Sequence, residues 1–173
     1  MIIEGKHMEN KIINYLIENK EKYYRIAYSY VKNKEDALDI VQDAIVKALR
    51  YQHTLKDVNY LNTWFCKIII NTCKTYLQKK NRYIDTQDEA LESYGEPTYD
   101  HYKPFELEEA LDHLSYNEKT IVLLRYYNSL ELKEIAHIMD QNLSTVKSTL
   151  YRALKKLKPL LENDYRGEAH EQV

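Results

Sequence analysis

The apolar residues of this chain recur at every third or fourth position in several separate segments, which is the spacing of helices with one buried face. The first such segment, from Ile12 to Val31, predicts one long helix or two short ones. The opening "MIIEGKHM" shows little pattern and is left out of the fold prediction. After the polar "KNKED", a second helix is predicted, with Asn33 or Asp36 as its N-cap. Its predicted buried stripe is Ala37, Leu38, Val41, Ala44, Ile45, Ala48 and Leu49.

A polar connection, "YQHTLKDVNYLN", leads to a third predicted helix, "TWFCKIIINTCKTYLQKKNR". Helical spacing returns near residue 105 and predicts four more helices, the last of them bent or ended near Pro159. Their sequences are "FELEEALDHLS", "NEKTIVLLRYYNS", "ELKEIAHIMD" and "STVKSTLYRALKKLKPLL". The stretch between the two groups, 83–104, has six acids, one lysine, two prolines and one glycine. It lacks long helical spacing and is typical of a flexible linker.

These elements predict an all-α protein of two small helical domains, at 10–82 and 105–165, joined by a flexible acidic linker at 83–104. Three glycines and three prolines in 173 residues agree with a fold that has few tight hairpins. Cys66 and Cys73 are seven residues apart on one predicted helix, too far to bond to each other. Reduced thiols, the lack of a signal-peptide pattern and the lack of an apolar run of about 18 residues predict a cytoplasmic protein.

The last predicted helix has a strongly basic surface. From Ser144, its candidate N-cap, to Lys158 it holds five positive charges and no negative one. With the preceding "LKEIAHIMDQN" it predicts a helix-turn-helix, whose second helix enters the DNA major groove. Asp140 stands where a turn glycine is usual, and it tolerates the left-handed conformation better than most residues. Lysines that only stabilise the helix dipole are the alternative, which leaves the basic and hydroxyl residues of the first turns unexplained. The predicted buried stripe is Val146, Leu150, Ala153, Leu154 and Leu157.

The third predicted helix is also basic. Its charges, with no acid among them, are Lys67, Lys74, Lys79, Lys80 and Arg82. The loop before it offers hydrogen-bonding and stacking groups that suit unstacked bases, namely His53, Asn59, Tyr60 and Asn62. A plain solvated face is the alternative. The second helix has the opposite sign, with Asp36, Asp39, Gln42 and Asp43 followed by an apparently exposed Val46. Taken alone, this acidic stripe is read as a solvated helix face.

In this order, these segments resemble a bacterial RNA polymerase sigma factor of the sigma-70 family, in its extracytoplasmic-function (ECF) group, over about residues 15 to 162. "DALDIVQDAIVKAL" is similar to region 2.2, with Asp43 in place of the commoner Glu. "TWFCKIIINTCKTYLQKKNR" is similar to regions 2.3 and 2.4, and "ELKEIAHIMDQNLSTVKSTLYRALKKLK" to region 4. Ser115 and Glu131 depart from the usual Pro and Ser or Thr at two helix starts. "YRIAYSYVKNKEDALDIVQ" resembles the sigma-V type, which serves cell-envelope stress.

The resemblance implies a role for each surface. The acidic stripe would dock on the coiled coil of the polymerase β′ clamp through Asp39, Gln42, Asp43 and Val46. The loop and basic helix would open and read the −10 element through Asn59, Tyr60, Asn62, Trp64, Lys67, Asn71 and Lys74. The last helix would read the −35 element through Ser144, Thr145, Lys147, Ser148, Arg152 and Lys155. The linker would thread the polymerase cleft or serve as a plain tether.

The implied partners are core RNA polymerase, at its β′ clamp and β flap, promoter DNA, and a cognate membrane-bound anti-sigma factor that would hold the protein at the inner face of the membrane. No small-molecule substrate or cofactor is implied. A helix-turn-helix repressor or activator that binds DNA as a dimer is the alternative in the same class. An enzyme is disfavoured, because the sequence has no Gly-rich phosphate loop and no nucleophile–base arrangement. Its six histidines and two cysteines make no metal-ligand spacing.

Overall fold

A computed structural model describes the backbone at 2–86 and 105–167 and the side chains at 8–81 and 107–161. The described part is helical, as the sequence predicts, with short 3₁₀ and π turns between α-helices. The chain divides into two compact units, Met1–Thr98 and Tyr99–Val173.

The described residues of the first unit form four α-helices around one core. They are α1 (Ile2–Glu18), α2 (Lys20–Val31), α3 (Lys34–Arg50) and α4 (Leu61–Thr86). Helices α2, α3 and α4 pack against one another, and α1 packs on α3. At the centre, the ring of Tyr23 meets the ring of Phe65 edge to face, with centroids 4.5 Å apart. Both side chains are almost completely buried, which fixes α2 against α4.

The boundaries in the first unit choose between the alternatives that the sequence left open. The first segment forms two helices, because the chain breaks at Asn19, whose side chain donates to the carbonyl of Tyr15. Helix α1 starts at Ile2, so the opening residues that the prediction left out are helical. Asn33 caps α3, since its side chain accepts the backbone N–H of Asp36.

The predicted buried stripe of α3 was wrong at one position. Leu38 is 51% exposed, whereas Ile40, which the prediction left out, is fully buried. The remaining stripe residues are buried or half-buried. The reason is the side of α3 that its neighbours cover. Helices α1, α2 and α4 pack on the side that carries Ile40, and Leu38 lies just outside that side.

Helix α4 is longer at both ends than predicted. It begins at Leu61, whose side chain is buried, rather than at Thr63. It continues to Thr86 and therefore includes the first four residues of the predicted linker. The rest of the predicted linker lies outside the described residues.

The second unit contains α5 (Phe105–Asp112), α6 (Tyr116–Val122), α7 (Leu132–Ile138) and α8 (Leu143–Gly167). Helices α5, α6 and α7 all pack on α8. After α6 the chain forms a π turn, Leu123–Tyr127, that ends the predicted helix in a wider coil. Ser115 caps α6 in a capping box with Glu118, so the departure from Pro at this position still gives a well-formed helix start.

Helix α8 corrects three details of the prediction. It does not end at Pro159, because the helix runs on to Gly167 with Pro159 inside it. Its N-cap is Asn142 rather than Ser144, because the Asn142 side chain accepts the backbone N–H of Thr145 at 2.7 Å. The helix therefore starts at Leu143, before Ser144. Leu154 is 38% exposed and lies at the edge of the buried stripe, while Thr149 is buried within it.

Candidate protein and nucleic-acid interfaces

The turn between α7 and α8 has the geometry that the sequence predicted. Asp140 has φ 51°, in the left-handed region, which confirms that it takes the place of a turn glycine. The backbone N–H of Gln141 then bonds to the carbonyl of Ala136, which closes the end of α7. Four residues, from Met139 to Asn142, therefore suffice to redirect the chain from α7 into α8, as in a helix-turn-helix.

One side of α8 faces away from the unit and is basic and hydroxyl-rich. Thr145, Ser148, Arg152 and Lys155 follow one another at spacings of three and four residues and so share a face. The exposed Ser144 lies beside them. Lys147 is also exposed, but it lies about 100° away round the helix, on the flank of this face.

Two contacts on this face hold polar groups in place. The Ser148 hydroxyl donates to the carbonyl of Thr145 at 3.0 Å. The Arg152 guanidinium donates to the hydroxyl of the buried Thr149 at 3.1 Å, which directs the exposed Arg152 side chain along the helix. Tyr151 is 71% exposed on the same side of α8 and is absent from the predicted −35 set. Its exposure on a basic helix is the signal that could have added it.

Helix α4 carries the second basic face. Trp64, Lys67, Asn71 and Lys74 are spaced by three, four and three residues and lie on one side of the helix. Asn71 and Lys74 are exposed, and Trp64 and Lys67 are half-buried. The structure thus brings together four of the predicted −10 residues on one continuous surface.

The loop before α4 adds two exposed groups. Residues Val58–Tyr60 form a 3₁₀ turn, capped by the Asp57 carboxylate, which accepts the backbone N–H of Asn59 at 2.9 Å. Asn59 is exposed, and Tyr60 is 62% exposed immediately before α4. Both side chains are therefore accessible to a ligand at the N-terminal end of the α4 face.

Asn62 lies on the other side of α4 from the four predicted −10 residues of the basic face. It is about 200° round the helix from Trp64, and its amide oxygen accepts a hydrogen bond from the Tyr23 hydroxyl at 3.1 Å. The Lys22 ammonium also donates to this oxygen, at 3.4 Å. Burial raises the pKa of Tyr23 above its ordinary value, so the phenol stays protonated and remains a donor. The structure gives Asn62 an internal contact that fixes the start of α4.

The exposed face of α3 is acidic at its centre and apolar at its sides. Asp39, Gln42 and Val46 follow one another at spacings of three and four residues, and all are exposed. Asp39 forms no salt bridge with any described residue. Val46 is 53% exposed, and Leu38 flanks the same face at a similar exposure. Leu38 therefore belongs to this exposed surface. It was not predicted to lie there, because its spacing fits the predicted buried stripe.

The other two acids of the predicted acidic stripe have partners inside the unit. Asp43 pairs with Lys47 at 2.7 Å, and the same ammonium donates to the Thr72 hydroxyl on α4. Asp36 pairs with Lys80 of α4 at 3.3 Å. The Asp36–Lys80 ion pair therefore crosses the edge along which α3 and α4 meet, and Asp43 is paired within α3. Asp39 and the exposed Glu35, one turn before it, are left on the outer face without an ion pair to any described residue.

Metal-ligating groups, disulfides and membrane-spanning helices are all absent from the described residues. No group of three or more His, Cys, Asp or Glu side chains among them could hold a metal ion. Neither Cys66 nor Cys73 is in a disulfide, and both are buried, as the sequence predicted for reduced core thiols. Desolvation raises the pKa of the Cys73 thiol to about 12. No helix in the described ranges is long and apolar enough to cross a bilayer.

The helix-turn-helix of the second unit, together with the basic and acidic faces of the first unit, defines a DNA-binding protein that also has a surface suited to a protein partner. Comparisons with known proteins make this class specific. Residues 16–83 match the family model "Sigma-70 region 2", and residues 105–157 match "Sigma-70, region 4".

Relatives match over most of their length. The chain is 43% identical to the RNA polymerase sigma factor SigV of Bacillus subtilis, over 85% of this chain and 89% of that protein. It is 28% identical to the ECF RNA polymerase sigma-E factor of Haemophilus influenzae, over 88% of this chain and 91% of that protein. The fold is shared with the sigma factor RpoE of Bartonella quintana, solved with the anti-sigma factor NepR. That likeness has a TM-score of 0.73 at 24% identity and covers 86% of this chain and 95% of RpoE.

The chain belongs to the sigma-70 family of RNA polymerase sigma factors, in the ECF group. As a sigma factor it acts in transcription initiation, together with core RNA polymerase and promoter DNA.

Proposed function

We propose that the outer face of α3 binds core RNA polymerase, that the α4 face with its preceding loop opens and reads the −10 element, and that α8 reads the −35 element. Residues 10–82 would then act as region 2, residues 105–165 as region 4, and residues 83–104 as the linker. The observation that carries the proposal is the separation of charge between α3 and α4, which gives one unit an acidic face and a basic face.

The α3 face suits a basic partner with some apolar surface. Its centre is Asp39 and Gln42, and Leu38 and Val46 add apolar area on either side. Charge complementarity of this kind steers encounter and fixes the orientation of docking, and burial of the apolar side chains adds affinity. A coiled coil with basic residues, as in the β′ clamp, has both properties. Asp43 contributes through its charge while it remains paired with Lys47.

The α4 face suits a melted DNA strand. Lys67 and Lys74 would lie along phosphates, Asn71 offers an amide for base edges, and the rings of Tyr60 and Trp64 offer stacking surfaces. Stacking on one aromatic ring contributes about 1–3 kcal/mol per base. Asn62 would act by holding the start of α4 through Tyr23 rather than by touching DNA.

The α8 face suits the major groove of duplex DNA. Ser144 and Thr145 stand at the start of the helix, where base edges are reached first. Loss of Lys147 or Arg152, if it contacts a base, should cost about 1–3 kcal/mol on the correct promoter and less on a mismatched one. Loss of a phosphate contact such as Lys155 should weaken all sequences alike and lower the salt slope by about 0.9.

Regulation by an anti-sigma factor is part of the proposal. RpoE of Bartonella quintana was solved with its anti-sigma factor, and another likeness, CnrH, was solved with the cytosolic domain of CnrY. We infer that a cognate, membrane-bound anti-sigma factor holds this protein in the cytoplasm at the inner face of the membrane. The proposal includes the role in cell-envelope stress that the resemblance to the sigma-V type implies. The protein performs no catalysis of its own in this scheme, since the polymerase supplies the chemistry.

The test is run-off transcription with core polymerase and the promoter of the protein's own operon, combined with a direct binding assay to core polymerase. Asp39→Lys should weaken core binding by at least tenfold, because it reverses the unpaired acid at the centre of the α3 face. The matched control is Glu18→Lys, which changes the net charge equally on an exposed position of α1. Val46→Ser tests the apolar contribution without a change in charge.

Equal losses from Asp39→Lys and Glu18→Lys would indicate an effect of net charge and contradict a docking face on α3. No promoter-specific transcript with wild-type protein, together with tight binding to a palindromic duplex in the absence of polymerase, would support the dimeric repressor instead.

A further inference from the structure

The tryptophan of the α4 face is held by a threonine in the preceding loop. The Trp64 indole N–H donates to the Thr54 hydroxyl oxygen at 3.0 Å. The Thr54 hydroxyl in turn donates to the carbonyl of Tyr51 at 2.8 Å. A single hydroxyl therefore connects the end of α3, through the 3₁₀ turn Gln52–Thr54, to the first turn of α4.

This contact restricts the indole ring. The loop that carries Thr54 is itself fixed, because the next residue, Leu55, is buried at 6% exposure. Trp64 itself is half-buried, so one edge of the ring packs against the protein while part of it reaches solvent. A half-buried ring without a polar anchor could rotate between several side-chain conformations, and a hydrogen bond at the indole nitrogen selects one of them.

The same contact decides which chemistry Trp64 can offer a ligand. Because its N–H is used by Thr54, the indole is left with an apolar ring surface and no free donor. The ring lies on the face of Lys67, Asn71 and Lys74. An apolar ring among cationic and amide groups suits stacking against a base, or wedging between two base pairs, without preference for hydrogen-bonding edges.

We propose that Thr54 is a positioning residue for promoter opening: it holds Trp64 in the orientation in which the ring supports the unpaired −10 strand. This inference rests on the function proposed for the α4 face. It assigns the Thr54 hydroxyl no contact with DNA. Its effect is confined to the step at which base pairs open, since phosphate contacts by the lysines of α4 do not depend on the indole ring.

The test uses two substitutions of nearly equal size. Thr54→Val keeps the shape of the side chain and removes the hydroxyl, whereas Thr54→Ser keeps the hydroxyl and removes a methyl group. Trp64 is the only tryptophan of the chain, so its fluorescence reports on this ring alone. The first readout is the anisotropy and iodide quenching of Trp64 in the full-length free protein. The second readout is opening of the −10 region by the complete polymerase complex, measured as the permanganate reactivity of unpaired thymines.

Thr54→Val should lower the Trp64 anisotropy, raise its quenching by iodide and reduce promoter opening by about threefold to tenfold, the loss expected for one hydrogen bond. Thr54→Ser should retain both properties. Binding to core polymerase and to closed promoter DNA should be the same in all three proteins. A normal level of opening in Thr54→Val would overturn the proposal, as would an equal loss in Thr54→Ser.

A double-mutant cycle keeps the test decisive if Thr54→Val also loosens the loop. Trp64→Phe retains an aromatic ring and lacks the indole N–H, so Thr54→Val should cause no further loss of opening in that background. Additive losses would show that Thr54 acts independently of Trp64 and would overturn the proposal. If wild-type protein opens no promoter, the proposed function fails, while the fluorescence comparison still decides whether Thr54 holds the ring.

Discussion

The ion pair between α6 and α8 offers a direct test of how α8 is held. The Lys156 ammonium lies 2.7 Å from the Glu118 carboxylate, and the same carboxylate oxygen accepts the backbone N–H of Ser115 at 2.9 Å. The Glu118 side chain is only 6% exposed, whereas Lys156 is 51% exposed. We expect Lys156→Met, which keeps most of the aliphatic stem, to loosen α8 against α6 because it leaves a buried carboxylate with one donor fewer.

The size of the effect follows from this geometry. A hydrogen bond to a charged group contributes about 1.5–3 kcal/mol when both partners are removed from water. Because half of the Lys156 side chain is in solvent, the lower limit is appropriate, and we expect a loss of about 1–1.5 kcal/mol. That loss raises the open population of the second unit by about fivefold to tenfold.

The assay is hydrogen exchange of the intact protein, followed by mass spectrometry of peptides. Slowly exchanging amides of α6 and α8 should exchange about five to ten times faster in Lys156→Met, while those of α4, in the other unit, should not change. Lys155→Met is the matched control, because Lys155 is the exposed neighbour of Lys156 on the outer side of α8 and has no salt bridge within the described residues. It should alter exchange by less than about twofold.

The pH dependence gives a second readout with a defined sign. The hydrogen bond from Lys156 lowers the pKa of Glu118 below its ordinary value. A carboxyl group with a lowered pKa stabilises the folded state fully above its unfolded pKa, and this stabilisation is lost as the pH falls through the folded value. The difference between wild type and Lys156→Met should therefore shrink below about pH 4. An unchanged difference at low pH, or equal effects of Lys155→Met and Lys156→Met, would refute the assignment.

Two further changes test the supports of the other surfaces. Tyr23→Phe should destabilise the first unit by about 1 kcal/mol, because it removes the buried donor to Asn62 and keeps the ring against Phe65; urea unfolding followed by Trp64 fluorescence measures it, and an unchanged midpoint would contradict the contact. Asp140→Gly should change the stability of the second unit by less than about 0.5 kcal/mol, whereas Asp140→Val should destabilise it by about 1–2 kcal/mol, because φ is positive at this position. Hydrogen exchange in α7 and α8 measures both effects. Equal effects of the two substitutions would show that φ is not the cause.

The sequence predicted the helices well because burial in this protein is periodic, and it failed where a second element decides which part of a helix is covered. Leu38 and Leu154 both fit an apolar stripe, but each lies at the edge of the arc that neighbouring helices cover. Asn142 and Ser144 are both good N-cap residues. The choice between them depends on where the chain leaves the left-handed Asp140, which two capping residues only two positions apart cannot indicate.

The candidate sites show the same limit. Residue type alone placed Asn62 with the −10 readers, although two residues along a helix amount to about 200° and separate it from Trp64. Helical spacing applied within the site would have assigned it to the inner side of α4. Thr54 could not have been found in this way, because its link to Trp64 depends on the path of a short 3₁₀ turn.

The acidic stripe of α3 acquires its meaning from the charges that the structure pairs. Asp36 with Lys80 and Asp43 with Lys47 neutralise the edge where α3 and α4 meet, so these acids contribute to packing as well as to charge. Asp39 is left on one outer face, while Lys74 is exposed on the basic face of α4. A net charge of −2 is thus the sum of opposed surfaces. We therefore expect the first unit to be attracted to DNA on one side and repelled on the other, and to bind DNA more strongly when a basic protein partner covers the acidic face.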